Sequence, residues 1–301
     1  MDMVPDSERR GLVASLPAPW RPYAALMRLD RPVGTWLLYW PCAMGVALAG
    51  VEKHWDLFGW LLLGAFAMRS AGCAYNDVVD RDLDRQVERT RNRPLASGAL
   101  SAGQAWSLIA ALLAVGLLVL LQLPLAAQLV ALASIVLVAA YPFMKRITWW
   151  PQAWLGLVFS WGALVGWTAV WGELALPGLL LWGGCIFWVI GYDTIYAIQD
   201  VEDDALVGVK SSARALGEDA AFGVGACYFA AMALWAMALW QVKPTPLAPL
   251  TLLPAALHLG AQLVRVDPAD GAGALRQFRA NRWTGLLVAL ACLTVGLSRS
   301  L

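Results

Sequence analysis

The sequence predicts an all-α protein that crosses a membrane many times, and two observations carry that reading. Of its 301 residues, 60% are hydrophobic and only 14% are charged, whereas a soluble domain carries about 45–50% apolar and about 25% charged residues. The apolar residues also gather into nine long runs separated by short polar joints. Within hydrocarbon a backbone must satisfy its own N–H and C=O groups, so runs of about 20 apolar residues are helices. The formal net charge of +1 excludes nucleic acid as a partner, because binding it needs a basic face. The five cysteines stand apart with no CxxC spacing, and the two histidines, His54 and His258, are far from each other. A disulfide scaffold, a zinc site and a haem are thereby excluded.

Before the first run, 19–30 mixes Trp20, Tyr23, Leu26 and Met27 with Arg21 and Arg28. That pattern suits a short amphipathic helix on the membrane surface. Spans are then expected at 34–50, 57–76, 103–122, 125–141, 152–170, 178–198, 219–240, 247–264 and 283–298. Pro124, Pro151, Pro177 and Pro246 fall near the joints, where a missing N–H costs little. Nine spans put the termini on opposite sides. With the N-terminal segment 1–33 inside, the inner segments hold eighteen lysines and arginines, against three in the outer ones. This asymmetry predicts a cytoplasmic N-terminus, and the membrane is expected to be a bacterial inner membrane. The whole chain, 1–301, reads as one membrane domain.

The acids are uneven. Five lie in 77–88 and five more in 193–204, each group at the inner end of an apolar run. The first reads AYNDVVDRDLD (74–84) and the second GYDTIYAIQDVEDD (191–204). If each helix continues through its cluster, residues four apart share a face, about 5–6 Å apart at Cβ. Asn76, Asp80 and Asp84 then form one stripe, and Asp193, Asp200 and Asp204 another, while Asp82 and Glu202 point elsewhere. Adjacent carboxylates repel, and a divalent cation relieves the repulsion. Mg²⁺ takes oxygen ligands, usually one or two carboxylates completed by waters and substrate phosphates. Asp193 falls within an apolar run, where a carboxylate is costly and marks function.

Basic loops follow both clusters: RTRNRPLASG (89–98) after the first and GVKSSA (208–213) after the second, with YPFMKR (141–146) between them. Arg93, Lys145, Arg146 and Lys210 are candidate anion ligands. An apolar run, a DxxxD element and a basic loop occur twice. The repeat predicts two pseudo-repeated halves around Asp80/Asp84 and Asp200/Asp204, as in membrane proteins built by duplication.

These elements resemble the UbiA superfamily of intramembrane prenyltransferases. Asn76, Asp77, Asp80 and Asp84 match its NDxxDxxxD pattern, and Asp200 and Asp204 match its DxxxD. MRLDRPVGTWLLYWP (27–41), NRPLASG (92–98), YPFMKR, GYDTIYA (191–197) and GVKSSA look like the branch that acts on 4-hydroxybenzoate in ubiquinone biosynthesis. The resemblance implies a nine-helix bundle with a cytoplasmic cap. It implies Mg²⁺ held by Asp80, Asp84, Asp200 and Asp204, with Asn76 beside them. It implies polyprenyl diphosphate and 4-hydroxybenzoate as substrates, Arg146 at the aromatic carboxylate, and Lys145 and Lys210 at the diphosphate. Arg93 and Arg31 are further candidates for binding. Other acceptors in the superfamily (haem, homogentisate, a naphthoate) and a cation-coupled transporter are the alternatives.

Overall fold

The computed structural model describes residues 12–298, apart from Arg89, 202–204 and 206–207. Among the described residues all regular structure is helical. The short helices α1 (Leu12–Ser15) and α2 (Arg21–Leu26) precede α3 (Val33–Ala49) and α4 (Asp56–Val79). Then come α5 (Arg81–Asp84), α6 (Ala102–Leu120), α7 (Leu125–Ile147), α8 (Pro151–Ser160), α9 (Gly162–Trp171) and α10 (Leu176–Ile198). The chain continues through α11 (Ser212–Leu216), α12 (Ala220–Val242), α13 (Leu247–Leu250), α14 (Leu253–Leu263) and α15 (Gly271–Leu297).

Seven of the expected spans become helices long and apolar enough to cross a membrane, with α8 and α9 counted as one and α11 and α12 as another. The other two differ. The first apolar run forms α3, of 17 residues, about 25 Å at 1.5 Å per residue. The run at 247–264 is broken. Pro249 stands within α13 and Pro254 opens α14, so its longer piece has only 11 residues. Two helices also outrun their expected ends. α7 passes Pro142 and carries Lys145 and Arg146 in its last turn. α15 begins at Gly271, well before the expected 283, because the Asp270 carboxylate accepts from the Gly273 N–H at 2.7 Å and starts the helix. Much of the expected loop 265–282 is therefore helical, with Arg276, Arg279 and Arg282 on it.

The chain falls into two compact units. One takes in Leu62–Gln122 with the chain up to Trp36. Here α4 and α6 run antiparallel: Gly64 faces Val119 near one end, and Ala74 shares a buried core with Ala105 and Ile109 near the other. Leu26 of α2 and Leu95 and Leu100 of the connecting loop complete that core, so the loop carrying NRPLASG is seated on the helix pair. Ser101 ends the loop with a capping box: its Oγ accepts from Gln104 N–H at 3.2 Å and Gln104 Oε1 accepts from Ser101 N–H at 2.9 Å. Such a cap supplies partners for helix-end donors that otherwise have none.

The other unit takes in Leu37–Leu61 with the chain from Leu123 onward. α10 is its centre, packed against α8, α12 and α15. Glycines let backbones meet: a Cβ at Gly166 of α9 or Gly296 of α15 would strike the carbonyl oxygens of Cys42 and Ala47 in α3. Small residues at such crossings are how apolar helices pack closely in lipid. A buried polar group ties α10 to α15, Trp188 Nε1 donating to Asn281 Oδ1 at 2.7 Å.

Candidate active site

The first acid cluster lies where α4 stops being apolar. Asp80 interrupts the helix with φ −95° and ψ 4°, but the i to i+4 bonds run on. Asp80 N–H donates to Asn76 C=O at 2.9 Å and Asp84 N–H to Asp80 C=O at 2.8 Å. Asn76, Asp80 and Asp84 thus keep the one-turn spacing expected of them. Asp80 and Asp84 are buried. Asp82 is exposed and paired with Arg81 and Arg85 at 3.2 and 3.3 Å, so it points away as the spacing predicts.

Asp77 is fully buried. Its Oδ1 accepts from Arg28 Nη2 at 2.6 Å and from Arg93 Nη1 at 3.3 Å. The same Arg93 nitrogen donates to Asp84 Oδ1 at 3.1 Å and Oδ2 at 2.9 Å. Arg93 reaches this position because its loop is held on both sides. Thr90 Oγ1 donates to Asp84 C=O at 3.0 Å, and Leu95 is buried in the core. Arg28 has φ 60° and is the one described residue other than glycine with positive φ. That conformation costs roughly 1–2 kcal/mol; the buried ion pair and an Arg28 Nη1 bond to Ala25 C=O at 3.1 Å hold it. Burial is the strongest single influence on the Arg28 guanidinium and lowers its pKa, but the groups around it, Asp77 foremost with Cys73 and Asp30, together outweigh burial and raise it above its usual range. Burial pushes the Asp84 carboxyl above the usual carboxylate range, against the opposing pull of Arg93. Arg31 pairs with the buried Asp30 at 3.3 Å. Sequence reasoning missed Arg28. It stood there only in the amphipathic segment 19–30 and in MRLDRP, with no role at the site, because the pair it makes spans 49 residues.

In the second unit, Asp193, Tyr196 and Asp200 are half-buried while Tyr192, Thr194, Ile195 and Ala197 between them are buried. The alternation places the three on one side of the C-terminal end of α10. Asp200 N–H donates to Ala197 C=O at 3.2 Å as the helix closes. Asp204 lies outside the described residues, as do Glu202 and Asp203. Lys145, Arg146 and Lys210 are brought together. Lys210 N–H donates to Lys145 C=O at 3.1 Å and its Nζ to Ile147 C=O at 3.2 Å, so the loop caps the last turn of α7. Ser212 anchors that loop, its N–H on Gln152 Oε1 at 2.9 Å and its hydroxyl 2.7 Å from that of Thr194. Arg146 is exposed on the same turn, where a cation also meets the negative end of the helix dipole. Arg214 stacks over Trp149 at 5.4 Å from the ring centre.

Among the described residues no three Asp, Glu, His or Cys form a metal cage. The first cluster nevertheless offers oxygen donors alone, and Asp77 keeps a buried Oδ2 with no hydrogen-bond partner. Oxygen donors with few carboxylates suit Mg²⁺, which fills its other positions with water and phosphate.

Residues 38–295 match the UbiA prenyltransferase family. A protein of Caenorhabditis elegans named 4-hydroxybenzoate polyprenyltransferase, mitochondrial, is 43% identical over 303 residues, covering 96% of this chain and 82% of that one. The chain belongs to the UbiA prenyltransferase family. An Arabidopsis thaliana relative of the same name is 43% identical over 91% of this chain and 68% of its own. Among solved structures, a UbiA homolog from Aeropyrum pernix K1 superposes with TM-score 0.71 at 26% identity, over 86% of this chain and 97% of that one. A UbiA homolog from Archaeoglobus fulgidus, solved bound to GPP and Mg²⁺, superposes with TM-score 0.68 at 18% identity, over 92% and 99%.

These relatives correct the expected location. The Caenorhabditis elegans and Arabidopsis thaliana relatives are named as mitochondrial proteins, which overturns the assignment to a bacterial inner membrane. The physical reason is plain: lysine and arginine counts separate the two faces of a membrane and carry no information on which membrane it is.

Proposed function

We propose that this UbiA-family chain transfers a polyprenyl group from polyprenyl diphosphate to the ring carbon ortho to the hydroxyl of 4-hydroxybenzoate, with Mg²⁺, as a membrane step of ubiquinone biosynthesis. The likeness to relatives of that name over nearly the whole chain carries the reading. Asp80, Asp84, Asp200 and Asp204 hold the metal, with Asn76 beside the first pair. Mg²⁺ at these acids neutralises the diphosphate and makes it a better leaving group; the GPP and Mg²⁺ bound to the Archaeoglobus fulgidus homolog support this part.

The chain's own residues do the rest. Lys145 and Lys210 stand at the last turn of α7 and present positive charge to the departing diphosphate. Arg146 grips the aromatic carboxylate, and a guanidinium can do so with two parallel hydrogen bonds. Arg93 and Arg31 add charge on the side of the first cluster. The C–O bond of the donor ionises, the electron-rich ring carbon attacks the allylic cation, and a ring proton leaves to solvent. The apolar walls of the spans keep water from the cation.

Washed membranes containing the protein, supplied with Mg²⁺, a polyprenyl diphosphate and labelled 4-hydroxybenzoate, should yield the prenylated ring acid. EDTA should abolish the product and Mg²⁺ restore it. Transfer to a naphthoate or homogentisate but not to 4-hydroxybenzoate would replace the acceptor while leaving the family reaction in place.

A further inference from the structure

The first acid cluster holds more than its expected metal ligands: it is built around an arginine. Arg93 Nη1 is shared by both oxygens of Asp84 and by Asp77 Oδ1, at 2.9 to 3.3 Å. Asp77 in turn is fixed by Arg28 at 2.6 Å. Arg28, Asp77, Arg93 and Asp84 thus form one chain of alternating charge with little exposure: the side chains are 10%, 0%, 17% and 8% exposed. Buried ion pairs of this kind are costly to break one-sidedly, so Arg93 leaves Asp84 only when another anion receives it and another cation replaces it.

Two further features give the arrangement a direction. Arg93 Nε is buried and has no hydrogen-bond partner among the described residues, and the same is true of Asp77 Oδ2. Arg93 therefore engages Asp84 with one nitrogen and keeps an unused donor. A guanidinium has five donors in a planar fork suited to phosphate oxygens. A metal ion on Asp84 and a guanidinium on Asp84 compete for the same two oxygens.

We propose that Arg93 is a transferable cation: Asp77, fixed by Arg28, sets it on Asp84, and it passes from Asp84 to the donor diphosphate as the metal–diphosphate is received. The inference rests on the metal reading given above and extends it by assigning roles to Arg28, Asp77 and Arg93. Asp77 is then a positioning residue, setting Arg93 through Oδ1 while its Oδ2 stays unengaged among the described residues. No bond is made or broken in this exchange; Arg93 trades carboxylate oxygens for phosphate oxygens, and the charge of Asp84 stays balanced throughout.

The exchange makes an opposed prediction. Removing Arg93 frees Asp84 for the metal and deprives the diphosphate of a partner. By titration calorimetry of the detergent-purified full chain, Arg93→Gln should bind Mg²⁺ alone about tenfold more tightly than wild type. It should bind a short isoprenyl diphosphate, with Mg²⁺ saturating, about tenfold more weakly. Asp77→Asn should do the reverse for the metal, weakening Mg²⁺ several-fold, because Arg93 loses one of the two anions it bridges and bears on Asp84 alone. Arg93→Lys keeps the charge without the fork and should fall between wild type and Arg93→Gln in both titrations; it serves if the glutamine variant does not fold. Weaker Mg²⁺ binding in both Arg93 variants, or no change, overturns the transfer and leaves Arg93 a structural ion pair. Wild type that binds no Mg²⁺ and transfers without it overturns the metal reading itself, a separate result.

Discussion

Arg146 and Asp80 illustrate two kinds of functional residue. Asp80 is buried at a helix break with its acid partners one turn away. Asp80→Ala should abolish transfer while the purified protein keeps its helical circular dichroism, and the same holds for Asp200→Ala. Full turnover by either variant in chelator would remove the metal from the mechanism. Arg146 is exposed at the end of α7, so its replacement should leave the fold alone. Charge-assisted hydrogen bonds contribute roughly 1.5–3 kcal/mol, equal to about one to two orders of magnitude in affinity. Arg146→Ala should therefore raise KM for 4-hydroxybenzoate by about that factor, with little effect on the donor KM, and Arg146→Lys should recover part of it. A shift in the donor KM instead would move Arg146 to the diphosphate. The stripe of Asn76, Asp80 and Asp84 was legible in the sequence because a four-residue period is local. Arg28 on Asp77 was not, since nothing in a single sequence pairs residues 49 apart.

At the scale of elements, apolar length told where helices form and misjudged where several stop. α7 runs through Pro142 to Ile147 and α15 starts at Gly271 among arginines. A hydropathy reading ends a span where charge begins, but a helix needs only its backbone bonds and a cap, and Asp270 supplies one for α15. How the helices meet was equally hidden, because a glycine in an apolar run looks the same whether it faces lipid or a backbone. The structure separates these cases. At Gly166 an added Cβ meets the Cys42 carbonyl of α3, while at Gly59 it meets nothing within 4 Å. Backbone cannot step aside as a flexible side chain can, so Gly166→Leu should cost at least the 1–3 kcal/mol typical of overpacking, roughly. Gly59→Ala, in an exposed helix interior, should gain up to about 1 kcal/mol. Thermal unfolding in one detergent checks both, and an unchanged Tm for Gly166→Leu would show that α3 and α9 can part at no cost. Ser101→Ala, which removes the capping box of α6, should cost about 1 kcal/mol in the same assay.

For the whole molecule, charge and helix length together bear on the number of crossings. Between the loop at 85–92 and the joint at 171–177 lie three helices long enough to span: α6, α7 and the pair α8–α9. Cysteines placed in those two segments should therefore react with an impermeant maleimide from opposite faces. α10 returns the chain, so 205–209 should react from the same face as 85–92. The broken run decides the end of the chain. α13 and α14 are short, of 4 and 11 residues, and neither alone matches a hydrocarbon core of about 30 Å. If they do not cross, Arg265, Arg276, Arg279 and Arg282 fall on the face that otherwise holds only Lys53 and Lys243 between described helices. If they cross in tandem, 247–264 gives about 27 Å at 1.5 Å per residue, and those four arginines join the cation-rich face. The charge asymmetry favours the crossing. A cysteine at 267–269 should then react from the face of 85–92. Reaction from the face of 171–177 would make α13 and α14 a re-entrant pair and reduce the crossings that follow α12 to that of α15 alone.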